Sequence, residues 1–382
     1  MRRPARPRPT VAVRHTLVPL LTGLSLAAGA LGAAGLDSAT PAPATPAVRT
    51  VTASGNPLAG RPWGTYLGRA DQTYAPYLAA TGTDKQLLGR IALAPKAKWF
   101  GGWITDTQIA GKVKAYVANA QAGNPEALVQ LAVFRMRPWE HEACRRLPTT
   151  AEQASYKKWV RGFAAGVGSA HTAVVLQPDG PFALCAPGGS TLPSRLIAYS
   201  AKVLGALPHT SVYIDAGAAD WPAEGRQGGV AAALRILRPA GIQYVRGFAL
   251  NSTHYSSTPD EVARGAAIVQ ALAAQGITGK HFVVNTSSNG HPFSFGSYTG
   301  SDPDNATVCP TRSEPVTRTC VTLGIPPTAD VTDPRWGMPA ATNELAGQYV
   351  DGYLWFGRPW LYRQADPFVT SRALALVRST PY

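Results

Sequence analysis

The chain has 382 residues, 45% of them hydrophobic and 15% charged, with a formal net charge of +14 at pH 7. That composition excludes a disordered or collagen-like chain and suffices for one large core. The basic residues are scattered and no nucleic-acid motif accompanies them, so a solvated basic surface is expected and nucleic acid is not expected as a partner.

In chain order, Arg2, Arg3, Arg6, Arg8 and Arg14 come before any acid, and the apolar stretch "TLVPLLTGLSLAAGALGAAG" (16–35) follows them. A basic segment, an apolar segment and a small-residue end predict a secretory signal peptide over 1–36. A membrane anchor needs about 20 apolar residues with large side chains, whereas this run turns to Gly and Ala. A secreted, extracellular protein with a cleaved signal peptide and no stable membrane association afterwards is therefore expected. Loss of those five arginines takes the charge from +14 to +9. Residues 37–55, which include "DSATPAPATPAVRT" (37–50), read as a Pro/Ala/Thr-rich linker unable to bury a core. The folded body is expected over 56–382.

Within that body, "ALVQLAVF" (127–134), "AVVL" (173–176), "SVYI" (211–214), "VRGFAL" (245–250), "HFVV" (281–284) and "GYLWF" (352–356) are short and apolar without polar alternation, the pattern of strands buried on both faces. Helical segments lie among them at 150–168, 192–207, 228–237 and 259–275, the last opening on Pro259 with acids in its first turn. The alternation predicts a parallel sheet with helices outside it. Without a dinucleotide glycine fingerprint, a barrel-like α/β fold of about seven strands is favoured over an open nucleotide-binding sheet.

In such a fold the chemistry sits on the loops after the strands. Asp179, Asp215, Asn251, Asn285, Gly357 and Arg358 all follow predicted strands, so they should converge on one face. Each is also the residue type that caps a helix or turn, so a purely local role is the competing reading. Trp99, Trp103, Trp139, Trp221, Trp355 and Trp360 fall at or just beyond strand ends. Tryptophan is more often core than platform, yet flat apolar faces beside carboxylates and amides suit sugar rings. Four cysteines, Cys144, Cys185, Cys309 and Cys320, imply two disulfides in an oxidising compartment, with three pairings open. None has the spacing of a metal site.

The motifs "NPLAG" (56–60), "PKAKW" (95–99), "VVLQPD" (174–179), "VYIDAGAADW" (212–221), "GFALNSTHY" (247–255), "VVNTSSNG" (283–290), "LGIPPT" (323–328) and "DGYLWFGRPW" (351–360) resemble glycoside hydrolase family 6, the inverting cellulases, in family order. The resemblance implies a distorted, partly open parallel β/α barrel. It places the family's general acid, the Asp of a Glu-Pro-Asp motif, at Asp179, with Gln177 where the Glu stands. It places a second catalytic aspartate, one that supports the substrate site, at Asp215, a sugar-stacking tryptophan at Trp221, a platform tryptophan at Trp99 and a substrate-binding asparagine at Asn251. Trp355 and Trp360 are expected to contact sugar as well. The loop that carries a sugar-binding lysine in the family is "GRPWLYRQADPF" (357–368), with Arg358 as the substitute cation and Asp366 as the nearest carboxylate.

The family's Arg-Asp-Cys motif corresponds to "EACRR" (142–146), so Ala143 replaces an aspartate, while Glu140 and Glu142 stand close by. Phe134 stands where a tyrosine is expected, and Ala218 where a histidine is often found. Conservation of Cys144 implies a Cys144–Cys185 bond and hence Cys309–Cys320. The resemblance implies an inverting, acid-catalysed hydrolase of β-1,4-glucan, with no metal or organic cofactor and a polysaccharide as its partner. A monomer without a further carbohydrate-binding module is expected. Because no catalytic base is identifiable and two carboxylates are replaced, a polysaccharide-binding protein with little turnover is the alternative.

Overall fold

In the computed structural model, which describes residues 55–382, seven strands form one parallel sheet in sequential order. They are β1 (Lys98–Gly101), β2 (Val129–Phe134), β3 (Thr172–Leu176), β4 (Thr210–Asp215), β5 (Gly247–Leu250), β6 (His281–Asn285) and β7 (Val350–Leu354). The expected signal peptide, and the expected linker up to residue 54, lie outside the described residues. Among the described residues no helix is long and apolar enough to cross a membrane.

Burial on both faces explains the uninterrupted apolar runs. Leu131, Val133, Val174, Leu176, Val212, Ile214, Phe248 and Val284 point outward into the main core with the helices. Their neighbours Ala132, Val175, Tyr213, Ala249 and Val283 point inward, where they pack with Trp99, Leu354 and Phe356. Two-residue periodicity thus fills two cores from one set of strands.

The sheet curls into a partly open barrel whose end strands are β1 and β7. Across the gap, Ala97 N donates to Trp355 O at 2.8 Å, and the Trp99 indole donates to Phe356 O at 2.6 Å. β1 escaped the sequence reading as a strand, because four residues that end on a glycine carry little periodic signal. β7 begins two residues earlier than expected, since Val350 pairs with Phe282. Helix Thr150–Val167 starts on a capping box, in which Thr149 Oγ1 accepts from Glu152 N at 3.2 Å and Glu152 Oε2 accepts from Thr149 N at 2.8 Å. Helices at Tyr74–Ala79, Gly82–Ala92, Ile109–Gln121, Ala340–Tyr349 and Thr370–Ser379 add to the four expected ones.

Candidate active site

The loops after the strands enclose a cleft of about 780 Å³. Asp179 lies in its wall, on the turn that follows β3. Gln177 and Asp179 both have left-handed backbones, with φ of 57° and 64°, a conformation that non-glycine residues adopt where surrounding contacts impose it. Those contacts are visible: Met136 N donates to Gln177 Oε1 at 3.2 Å, and the Trp139 indole donates to Pro178 O at 2.9 Å. Thr253 Oγ1, from the loop after β5, donates to Asp179 Oδ1 at 2.8 Å. Burial pushes the Asp179 pKa up to about 6, against the opposing Thr253 hydrogen bond; the charges of Glu140 and Asp304 add to the rise and that of His254 opposes it.

Asp215 is wholly buried at the end of β4 and does not line the cleft. Its Oδ1 accepts from Gly180 N at 2.9 Å and from Gly217 N at 3.0 Å, and its Oδ2 accepts from the Ser252 hydroxyl. Since Gly180 follows Asp179, Asp215 holds the acid's turn from below. Only glycine fits there, because a Cβ on Gly180 would lie 2.1 Å from Asp215 O. Burial, with the Asp179 charge adding to it and the Ser252 hydroxyl opposing, raises the Asp215 pKa to about 7. Asp215 was expected to be catalytic, and the structure places it beneath the turn of Asp179, out of the cleft.

Two further carboxylates line the cleft, Glu140 from the loop after β2 and Asp304 from the long excursion after β6. Burial raises the pKa of each, with Asp304 adding for Glu140 and Asp302 adding for Asp304. Ala143 is buried beside the Cys144–Cys185 disulfide, whose Cα atoms are 4.7 Å apart, so the bond ties the Glu140 loop to the Asp179 loop. The second disulfide joins Cys309 to Cys320. Both pairings match expectation.

Of the expected sugar contacts, Trp99, Trp221 and Arg358 line the cleft, as do Trp103, which is 58% exposed, and Phe134. The Arg358 guanidinium lies 4.1 Å from the Trp99 ring centroid, and burial lowers its pKa against the opposing charges of Asp179 and Asp366. Asn251, Trp355 and Trp360 are instead interior. Asn251 Nδ2 donates to Ser256 O at 3.3 Å and to Asn285 O at 3.1 Å, while Asn285 Nδ2 donates back to Asn251 O at 3.0 Å. Those amides stitch two loops together beneath the cleft. The Trp355 indole donates to Ile325 O at 2.9 Å and packs with Trp360 in a separate core cluster. All three were expected to contact sugar and instead lie outside the cleft lining: the Asn251 amide nitrogen and the Trp355 indole donate to backbone carbonyls, and the Trp360 ring is buried, while Asn251 Oδ1 has no partner among the described residues. Asp366 accepts from Gln72 at 2.5 Å and does not line the cleft.

The family model described as glycosyl hydrolases family 6 matches residues 64–334. The chain belongs to that family. Among curated glycosyl hydrolases, endoglucanase A of Cellulomonas fimi is 34% identical over 229 residues, 60% of this chain and 47% of that protein. Endoglucanase 1 of Streptomyces halstedii is 29% identical over 208 residues, 53% of this chain and 60% of the relative. The chain thus spans about half to three fifths of the length of these curated relatives. The solved family 6 endoglucanase of Mycobacterium tuberculosis, in complex with methyl-cellobiosyl-4-deoxy-4-thio-β-D-cellobioside, aligns with a TM-score of 0.62 and 25% identity. That alignment covers 84% of this chain and 98% of that one.

Several cleft residues were not singled out in the sequence as site candidates: His141, Phe182, Thr253, His254, Phe295 and Asp304. Thr253 and His254 directly follow Asn251 and Ser252 in the motif "GFALNSTHY", so reading one turn further along would have found them. Asp304 had no such signal, for it lies in an excursion without periodic pattern.

Proposed function

We propose that the chain is a secreted hydrolase of β-1,4-glucan in which Asp179 is the proton donor. The observation that carries this reading is a carboxyl group in a cleft wall whose pKa is raised to about 6, so that a useful fraction remains protonated near neutral pH. In the reaction Asp179 gives its proton to the glycosidic oxygen as the C–O bond to the anomeric carbon breaks. Water adds to that carbon from the opposite face and releases its proton to solvent, which returns the configuration inverted and the acid ready to reload. The negative charges of Glu140 and Asp304 favour the positive charge that develops at the anomeric carbon, in place of the carboxylate lost at Ala143. Trp99, Trp103 and Trp221 supply flat faces for sugar rings, and Arg358 supplies a donor for hydroxyls.

The endoglucanase names of the relatives and the thio-linked cellobioside bound by the Mycobacterium tuberculosis enzyme support a β-1,4-glucan as substrate. Two disulfides and the arginine-led apolar N-terminus support export, with 1–36 removed and 56–382 as the catalytic domain. A polysaccharide-binding protein with little turnover is the second reading, favoured by Gln177 and Ala143, which take two carboxylates from the acid's surroundings.

Asp179→Asn keeps shape and hydrogen bonding while removing the proton, so turnover of soluble cello-oligosaccharides should fall about 10² to 10⁴-fold with binding retained. A glycosyl fluoride, whose leaving group needs no protonation, should lose less. Unchanged hydrolysis in the variant would reject Asp179 as the acid, and an unmutated protein that binds glucan without cleaving it would establish the second reading.

A further inference from the structure

His254 lines the cleft, and Asp220 stands behind it as its partner. His254 Nδ1 lies 2.7 Å from Asp220 Oδ1. The other carboxylate oxygen of Asp220 accepts from Phe295 N at 2.7 Å and from Ser294 Oγ at 3.3 Å. Burial pushes the Asp220 pKa up, but its hydrogen bond to His254 and the charge of that ring outweigh burial and bring it to about 2. Asp220 is therefore a carboxylate at any working pH, and since a carboxylate only accepts, Nδ1 carries a proton.

The ring is held as firmly as its proton. It lies parallel to Trp221, with centroids 5.2 Å apart and planes within 7°, and on Phe295 at 4.6 Å and 21°. Its backbone carbonyl accepts from Ser288 Oγ at 3.1 Å. Only 11% of the His254 side chain is exposed, on a residue that lines the cleft. Nε2 has no protein partner among the described residues and is not among the sealed atoms. A histidine serving only the core would have its second nitrogen satisfied or sealed. The preceding residue, Thr253, holds Asp179 at 2.8 Å, so one turn of chain addresses both the acid and this nitrogen.

We infer that Asp220 and His254 form a sugar-positioning dyad, in which Nε2 hydrogen-bonds a hydroxyl of the glucosyl unit beside Trp221 and so sets where the glycosidic oxygen stands relative to Asp179. Asp220 acts through His254 by holding its Nδ1 proton and its tilt. The inference rests on the glucan-hydrolase reading and names a residue that selects and orients that substrate.

The test uses the full chain and a non-hydrolysable thio-linked cello-oligosaccharide, titrated by calorimetry, with kcat and KM for the oxygen-linked substrate measured alongside. His254→Ala should weaken binding roughly 3- to 10-fold, the scale of one net hydrogen bond. The loss should appear in KM more than in kcat, and added imidazole should restore part of it. Asp220→Asn still accepts from Phe295 N but cannot hold the Nδ1 proton as a carboxylate does, so it should show a smaller loss of the same kind. If His254→Ala does not fold, His254→Gln and Asp220→Asn decide the matter. Thio-oligosaccharide binding unchanged in the folded variants would overturn the dyad while leaving the hydrolase reading standing. A native protein that binds no thio-oligosaccharide would overturn the hydrolase reading and the dyad with it.

Discussion

The Thr253 hydroxyl donates to Asp179 Oδ1 across 2.8 Å and thereby links the loop after β5 to the loop after β3. A hydrogen bond to a carboxylate favours its charged form. Thr253 thus holds the acid's pKa below the level to which burial would carry it, while the charges of Glu140 and Asp304 push the other way.

The pH dependence of turnover should register both effects with opposite sign. An acid works while protonated, so activity is lost as pH rises through the folded pKa of Asp179, near 6. Thr253→Val removes the donor at similar volume and should shift that alkaline limb to higher pH. Glu140→Gln removes a negative charge and should shift it to lower pH, with the double variant in between. A limb that stays in place in both single variants would show that it does not belong to Asp179.

Asp215→Asn separates positioning from acid chemistry through stability. Asp215 titrates near 7 when folded, above its ordinary value of 3.8, so the folded state binds its proton more tightly than the unfolded state. Stability from that proton is present at low pH and is lost as pH rises from about 4 through 7. The asparagine carries no charge to bury and can still accept from Gly180 N and Gly217 N. The thermal midpoint of the variant, relative to the unmutated protein, should therefore improve between pH 5 and pH 8, and a constant difference would contradict the raised pKa.

Asn251→Ala distinguishes a support from a sugar contact. It removes the donor to Ser256 O and Asn285 O in a buried layer, which should cost about 1 to 3 kcal/mol of stability. KM for oligosaccharides should change little in whatever fraction remains folded at low temperature. A large rise in KM without loss of thermal stability would return Asn251 to the cleft.

The turn bearing Asp179 shows what was legible in the sequence and why. "VVL" followed by a Pro-Asp-Gly cluster marks a buried strand entering a tight loop, which depends on local chemistry alone, and Asp179 stands where that pattern put it. Asp215 and Asn251 have the same local signature, an Asp or Asn directly after an apolar run, yet both are sealed below the cleft. Their side chains meet groups from distant loops: Asp215 meets Gly180, 35 residues away in sequence, and Asn251 meets Asn285, 34 residues away. Trp99 and Trp355 differ in the same manner, one ring facing the cleft and the other facing a separate core cluster.

The parallel α/β architecture, the family, the disulfide partners implied by that family and the position of Asp179 on the turn after β3 were all legible in the chain, because apolar periodicity, turn chemistry and motif order are read locally. Which polar residues after the strands reach the cleft, that Glu140 and Asp304 bring charge toward Asp179, and that His254 leans on Asp220 beside Trp221 emerge once the chain is folded. Those relationships join loops far apart in sequence, and the direction in which each side chain points is set by the curl of the sheet and by which buried backbone groups still lack a partner.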